Sequence, residues 1–349
     1  ASMVGTGLGA QRGILIRGGE VLEKIHRLSI VVFDKTGTLT RGEPEVTDIL
    51  PAHGFEGREV LALAAALEKT SEHPLAGAIL KRASGDRISP APTENFLALS
   101  GLGAKADLDG KPCLIGNAAL MDSQGLSADA LHQRAAVLAG EGKTVVYVAR
   151  ETKIIGLIAL ADVPKDSAIQ AVALLKQRGL NVAMVTGDNA GTAQSIARQL
   201  GIDRVMAEVL PGKKADEIQR LQAAGDVAAM VGDGINDAPA LAAADVGIAI
   251  GTGTDVAIEA ADITLIRDDL KLVPEAIGLS LATMRVIKQN LFWVFVYNII
   301  GIPVAAGVLY PAFGILLNPE FAAAAMAFSS VSVVTNSLRL KRVWEKKLK

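Results

Sequence analysis

Short runs of valine, isoleucine and other apolar residues recur along this chain, each ended by aspartate or glycine and followed by a helical pattern. They lie at Ser29 to Phe33, Asn181 to Val185, Val227 to Val231 and Val246 to Ile250. Runs of this kind suit strands covered on both faces, and the helical segments between them supply the covering layers. The rhythm therefore predicts a parallel sheet with helices on its two sides. In such sheets ligands sit beyond the carboxyl ends of the strands. Asp34, Thr186-Gly187-Asp188 and Gly232-Asp233-Gly234 each fall at such an end, so segments far apart in sequence are predicted to converge on one crevice.

Almost 150 residues separate Asp34 from the second of these strands. That is too long for a single crossover, and the interval has helical and strand-like patterns of its own. It predicts an inserted domain over 45–153, with Gly101-Leu102-Gly103 and the segment from Gly140 to Lys143 as internal turns.

Toward the carboxyl end no residue from Gln289 to Pro319 is charged, and none from Phe321 to Leu338. These windows predict a transmembrane helical hairpin: one helix from about Asn290 to Leu309, a turn around Tyr310, Pro311, Asn318 and Pro319, and a second helix from Phe321. A buried helical hairpin in a soluble core accounts for the apolar runs but not for the basic residues at both ends. Arg285 and Lys288 precede the hairpin; Arg339, Lys341, Arg342, Lys346, Lys347 and Lys349 follow it, which places both ends in the cytosol. The 35 basic and 37 acidic residues nearly cancel, so neither nucleic acid nor an anionic membrane surface is expected as the main ligand. The single cysteine, Cys113, excludes an internal disulfide and fits a reducing compartment. The chain opens on Ala1-Ser2-Met3 with no cleavage pattern, which suggests no signal peptide and a fragment of a longer protein.

The chemistry is concentrated at the strand ends. A carboxylate at Asp34, exposed where an apolar strand stops, suits a nucleophile for phosphorus, provided that the phosphate charge is neutralised by a hard cation, a lysine and convergent N–H groups. Asp233 offers a second carboxylate for Mg²⁺, with Asp237 near it if the intervening turn is helical. Lys214 or Lys213 could supply the positive charge, and the turn at Gly37 the N–H groups. The Thr186 hydroxyl suits a phosphoryl oxygen, and Asp188 completes the set. Each piece alone is a common turn or cap; together they point to phosphoryl transfer to Asp34.

This set resembles the haloacid-dehalogenase-like phosphotransferases, and among them the P-type ATPases, whose motifs DKTGT and GDGxNDxP stand at Asp34 to Thr38 and Gly232 to Pro239. The resemblance implies a Rossmann-type parallel-sheet domain with an inserted α+β nucleotide-binding domain. It implies an aspartyl phosphate at Asp34; contacts to the phosphoryl group from Thr36, Thr186 and Lys214; Mg²⁺ held by Asp34, Thr36 and Asp233; and support from Lys35, Gly187, Asp188 and Asp237. Thr36 stands where related phosphatases carry a second aspartate as general acid and base, so the phosphoenzyme is expected to be long-lived.

Ser71-Glu72-His73-Pro74-Leu75 is similar to the SEHPL motif of the heavy-metal-transporting branch. On that resemblance Glu68, His73, Gly101, Gly103 and Asn117 are the ATP-binding residues, with His73 beside adenine. In the hairpin, Tyr297-Asn298 and Met326-Ala327-Phe328-Ser329-Ser330 are similar to the pattern of copper(I) exporters, with Tyr297, Asn298, Met326 and Ser330 on the metal path. A thioether is a soft ligand, matched to Cu⁺ or Ag⁺.

The expected organisation is a cytosolic segment over 1–28, a phosphorylation domain over 29–44 and 154–275, the nucleotide-binding domain over 45–153, two membrane helices over 284–340 and a basic tail over 341–349. The resemblance covers only the carboxyl-terminal half of such a transporter: the Cys-Pro-Cys helix, the Thr-Gly-Glu actuator and the earlier membrane helices are not in this sequence. Those segments are expected as partners, with membrane lipid, in a multi-pass protein of the bacterial plasma membrane. A membrane-tethered phosphatase and a noncatalytic fragment remain the alternative functions.

Overall fold

The computed structural model describes residues 1–71, 73–126, 129–233, 235–251, 255–314 and 319–347. Glu72, Gly234, Asn318 and Lys349, named above, lie outside the described residues. Among the described residues thirteen strands run in chain order: β1 Ile14–Ile16, β2 Ile30–Asp34, β3 Thr40–Pro51, β4 Glu94–Leu99, β5 Gly103–Leu108, β6 Lys111–Gly116, β7 Thr144–Arg150, β8 Lys153–Pro164, β9 Asn181–Val185, β10 Arg204–Met206, β11 Ala228–Gly232, β12 Val246–Ile250 and β13 Ile263–Leu265. The chain forms two compact units. One comprises Ala1–Asp34, Gln170–Ala183 and Pro211–Lys349, the other Lys35–Ile169 and Met184–Leu210.

In the first unit the sheet runs β1-β13-β12-β11-β2, with β9 entering beside β2. Strand β11 pairs in parallel with both β2 and β12, and β12 with β13; only β1 is antiparallel, on the edge. Every residue of β2, β11 and β12 is buried, the outcome expected of apolar runs covered on both faces. The parallel arrangement brings Asp34 and Gly232 to the same end, because Val231 stands opposite Phe33 in the register.

In the second unit β3-β8-β7-β6-β5-β4 form a six-stranded sheet whose pairings are all antiparallel. Side chains alternate between two cores, as a period of two requires. Ile115, Val148 and Ile158 pack under the helices Gly57–Glu68 and Pro74–Gly85, whereas Leu114, Tyr147 and Leu157 face the opposite core with Leu120 and Leu131. The 45 and 153 boundaries fall within β3 and at the start of β8; these long strands pair from Thr40↔Pro164 to Pro51↔Gly156.

The carboxyl-terminal segment of the first unit holds two long helices, Leu272–Ala305 and Pro319–Lys347, joined through the short helix Tyr310–Phe313. The helices stand where a transmembrane hairpin is predicted, but among the described residues no helix is long and apolar enough to cross a membrane. The uncharged part of the first helix starts after Lys288 and stops with the helix at Ala305, short of the expected Leu309. At ~1.5 Å per residue it reaches about 25 Å, less than the ~30 Å of a hydrocarbon core. Asn290, Asn298 and Pro303 dilute it further.

Candidate active site

Asp34 is the last residue of β2 and is 5% exposed. Lys214 opens the helix Lys214–Ala223, and its Nζ lies 2.6 Å from Asp34 Oδ1 and 2.7 Å from Asp237 Oδ1. All three side chains are buried. Lys213, at the end of the preceding turn, is exposed and pairs with Asp216 at 3.0 Å instead. Asp237 is placed by a short 3₁₀ turn, Ile235–Asp237, and its Oδ2 accepts the backbone N–H of Asp233 at 3.3 Å. A Cβ on Gly232 would stand 2.7 Å from that same Oδ2, so only glycine lets Asp237 fold back under β11.

One oxygen from each of Asp34, Asp233 and Asp237 lies within 4.8 Å of the others. Three carboxylates are thus crowded around the Lys214 ammonium. Burial pushes the Asp34 carboxyl up to about 6, and Asp237 adds to the rise while Lys214 opposes it. The same two carboxylates hold the Lys214 ammonium above its ordinary value despite its burial. A cluster of carboxylate oxygens at a strand end fits a hard divalent cation such as Mg²⁺.

In the second unit the chain leaves Asp34 in a single π turn, Lys35–Leu39, which Gly37 permits with φ +75°. Thr36 is exposed there, with extended φ −75° and ψ 126°. The buried Lys35 ammonium lies 2.6 Å from Asp188 and 3.8 Å from Asp162. Thr186 is buried at the end of β9, where its Oγ1 accepts the Asp188 N–H at 3.1 Å; Gly187 lies between them. Strand β10 fixes this loop: Thr186 N–H donates to the Met206 carbonyl at 2.9 Å, and Glu208 N–H to that of Asp188 at 2.9 Å.

Three of the five predicted ATP-binding residues form one corner. Asn117 Nδ2 donates to the Gly101 carbonyl at 2.9 Å, its N–H donates to the Leu102 carbonyl at 2.9 Å, and its Oδ1 caps the helix Ala118–Ser123 through the Leu120 N–H. Gly101 has φ +72° and open space where a Cβ would go; Gly103 has φ +146°, and a Cβ there would meet the Ile115 carbonyl at 2.1 Å. Gly103→Ala should therefore destabilise this unit by about 3 kcal/mol and weaken binding of a fluorescent ATP analogue. Gly110→Ala, at φ +71° with open space, should cost only about 1 kcal/mol and leave nucleotide binding unchanged. Equal denaturant midpoints for the two variants would refute the assignment of this corner.

Glu68 ends the helix Gly57–Glu68, buried, and its Oε2 has no hydrogen-bond partner among the described residues. His73 is the exposed N-cap of Pro74–Gly85, where Nδ1 accepts the Leu75 N–H at 3.2 Å.

The family model for haloacid dehalogenase-like hydrolases matches residues 28–245. The chain belongs to that family. It is 52% identical over 341 residues to copper-transporting ATPase 2 of Rhizobium meliloti, covering 98% of this chain and 41% of that protein. It is 50% identical over 341 residues to the silver exporting P-type ATPase of Salmonella typhimurium, again covering 98% and 41%. A zinc-transporting PIB-type ATPase solved in its E2.Pi state superposes with a TM-score of 0.88 at 38% identity, covering 97% of this chain and 54% of that one. The chain thus spans about two fifths of the length of these two curated relatives.

Two residues of this haloacid dehalogenase-like chain that its motifs do not include hold the loop after Asp34. Asp162, in β8, accepts the Thr40 hydroxyl at 2.5 Å and the Gly42 N–H at 3.0 Å. Lys165, just past β8, donates from Nζ to the Gly37 carbonyl at 2.5 Å and from its N–H to the Leu39 carbonyl at 2.9 Å. The available signal was the acidic and basic pair around Pro164 at the end of an apolar run. In the hairpin, Tyr297 is exposed, Asn298 turns back to the Val294 carbonyl of its own helix at 2.9 Å, and Ser330 lies on the second helix. Met326 belongs to that helix too; its side chain lies outside the described residues.

Proposed function

We propose that this chain supplies the ATP-binding and phosphorylation machinery of a copper(I) or silver(I) exporter that works through an aspartyl phosphate. The observation that carries the reading is the buried Lys214 ammonium bonded to both Asp34 and Asp237, beside Asp233. In this reading an Asp34 carboxylate oxygen attacks the γ-phosphorus of ATP, the bond to the β-phosphate bridging oxygen breaks, and ADP leaves with that electron pair. Asp34, Thr36 and Asp233 would hold Mg²⁺, which when bound neutralises phosphate charge. Lys214 keeps Asp34 ionised and aimed; Thr36 and Thr186 hold phosphoryl oxygens; Lys35 and Asp188 brace the loops that carry them. Asp237 orients Lys214 and the turn at Asp233.

Glu68, whose buried Oε2 has no partner among the described residues, suits the exocyclic amine of adenine, and His73 with the Gly101, Gly103 and Asn117 corner would complete the nucleotide site. The helical hairpin is assigned to the membrane on its exposed apolar side chains: between Leu291 and Ile302, Phe292, Trp293, Phe295, Ile299 and Ile300 are each more than half exposed. Tyr297, Asn298, Met326 and Ser330 belong to the metal path, and the soft Met326 thioether favours Cu⁺ or Ag⁺ over a hard ion. The 50–52% identity to copper and silver exporters supports that choice over zinc.

Incubation with γ-labelled ATP and Mg²⁺ should leave an acid-stable label on the protein that hydroxylamine releases and that chelation of Mg²⁺ prevents. Rapid phosphate release from small phosphomonoesters, with no retained label, would instead establish a phosphatase.

A further inference from the structure

In the second unit, the turn that closes the helix Asp129–Gly140 lies against the first turn of the helix Ala190–Leu200. Gly142 has φ +81° there; its N–H donates to the Ala139 carbonyl at 2.9 Å and that of Lys143 to the Leu138 carbonyl at 3.1 Å, an ordinary glycine-closed helix end. Helix closure explains the φ but not the contact. A Cβ on Gly142 would run into the Thr192 Cα and stand 2.7 Å from Thr192 Oγ1 and 2.8 Å from its Cβ, so only bare glycine backbone lets the turn come this close. Gly201 ends the helix Ala190–Leu200 in the same left-handed conformation, φ +69°, with open space where a Cβ would go.

On one side the turn is fixed to the sheet that carries the ATP corner. Lys143 Nζ lies 2.8 Å from Asp48 of β3 and 2.9 Å from Glu141, and β7 starts at the next residue. Strand β7 pairs with β6 as far as Tyr147↔Gly116, and Asn117 follows directly. On the other side Asn189 caps the helix Ala190–Leu200 by accepting the Thr192 N–H at 2.9 Å, and the residue before it is Asp188, whose carboxylate takes the Lys35 ammonium at 2.6 Å. The contact therefore joins the ATP corner to the Thr186-Gly187-Asp188 loop. Beside it a cavity of about 340 Å³, lined by Lys35, Asp48, Lys143, Asp162, Thr192 and Gln199, keeps the two sides apart. Their spacing is set at the glycine rather than by a filled interface.

We propose that Gly142 is a positioning residue for phosphoryl transfer: its contact with Thr192 sets the distance between the bound nucleotide and the Thr186-Gly187-Asp188 loop that holds the phosphoryl group, an inference that rests on the reading of Asp34 as the phosphoryl acceptor. Transfer needs the reacting atoms nearly in contact, and a misplacement of about 1 Å from a change far from them can cost roughly 10²-fold in rate. Neither Gly142 nor Thr192 is among the residues that hold the nucleotide, so loosening their contact slows transfer and leaves binding alone.

Gly142→Ala forces the turn off the helix, and Thr192→Leu does so from the other side with no left-handed residue involved. In single-turnover labelling of the full chain with saturating γ-labelled ATP and Mg²⁺, both should form the phosphoenzyme slower by about tenfold or more. The dissociation constant of a fluorescent ATP analogue should stay within about twofold in both. Gly201→Ala, which carries the same backbone strain without the clash, should label at the unmodified rate, and a denaturant midpoint like that of Gly142→Ala would separate the lost rate from lost stability. Labelling as fast as the unmodified chain in either contact variant overturns the positioning role and reduces Gly142 to a helix end. A parallel loss of affinity for the ATP analogue overturns it as well, by making the turn part of the nucleotide site. Absence of label in the unmodified chain instead overturns the reading of Asp34, and the inference with it.

Discussion

Asp34→Asn will take up no acid-stable label from γ-labelled ATP, while it folds and binds nucleotide as the unmodified chain does. The amide keeps an oxygen for the Lys214 ammonium, which lies 2.6 Å from Asp34 Oδ1, so the local geometry survives. It removes one of three crowded carboxylates, so the buried cluster loses repulsion rather than a bond it needs. What disappears is the nucleophile, because an amide oxygen does not form a stable acyl phosphate. Thermal unfolding should shift little, and binding of a fluorescent ATP analogue should match the unmodified chain within about twofold, roughly 0.4 kcal/mol. Label retained at comparable stoichiometry in the variant would place the covalent step elsewhere, and with it the whole reading of β2.

Lys214→Ala should damage both folding and chemistry. Lys214 is 8% exposed and its ammonium serves two carboxylates, Asp34 and Asp237, that are themselves buried. Removing it strands both. Breaking a buried ion pair from one side costs about 3 to 5 kcal/mol, because the surviving charge loses its partner without regaining water. The denaturant midpoint should fall accordingly. Phosphorylation should slow by roughly 10²- to 10³-fold, the size of effect seen when one preorganised charge-stabilising donor is deleted. Lys213→Ala, one residue earlier and paired only at the surface, should change neither by more than about 1 kcal/mol. If the two alanine variants unfold together and label equally, Lys214 has no special part in the site.

The contrast between these two lysines marks the limit of what the sequence discloses. Both follow Pro211-Gly212, and nothing in their composition separates them. The separation comes from where the helix begins: Lys213 closes a 3₁₀ turn and Lys214 is the first helical residue, and successive helical side chains point about 100° apart. One lysine is therefore turned into the site and its neighbour into solvent.

The strands were legible for the opposite reason. A strand covered on both faces needs apolar residues without interruption, so β2, β9, β11 and β12 announce themselves by composition. The observed Ile30–Asp34 and Ala228–Gly232 differ by one residue from the expected runs. Motif spacing then placed the acidic residues at the strand ends, where the parallel register brings Asp34, Asp233 and Asp237 together.

The hairpin shows a mixed outcome. Two uncharged windows foretold two long helices, but hydropathy summed over a window does not reveal that the first helix stops at Ala305, ahead of the left-handed turn at Gly307 with φ +87°. The parts played by Asp162 and Lys165 are not legible in the sequence either, since their partners at Thr40, Gly42 and Gly37 lie some 120 residues earlier. Local sequence determined which segments are strands and helices and which chemical groups stand at their ends, because burial and spacing are local constraints. Only the tertiary structure decided which of those groups share a partner, because a charge is paired or stranded by what the rest of the chain brings within a few ångströms.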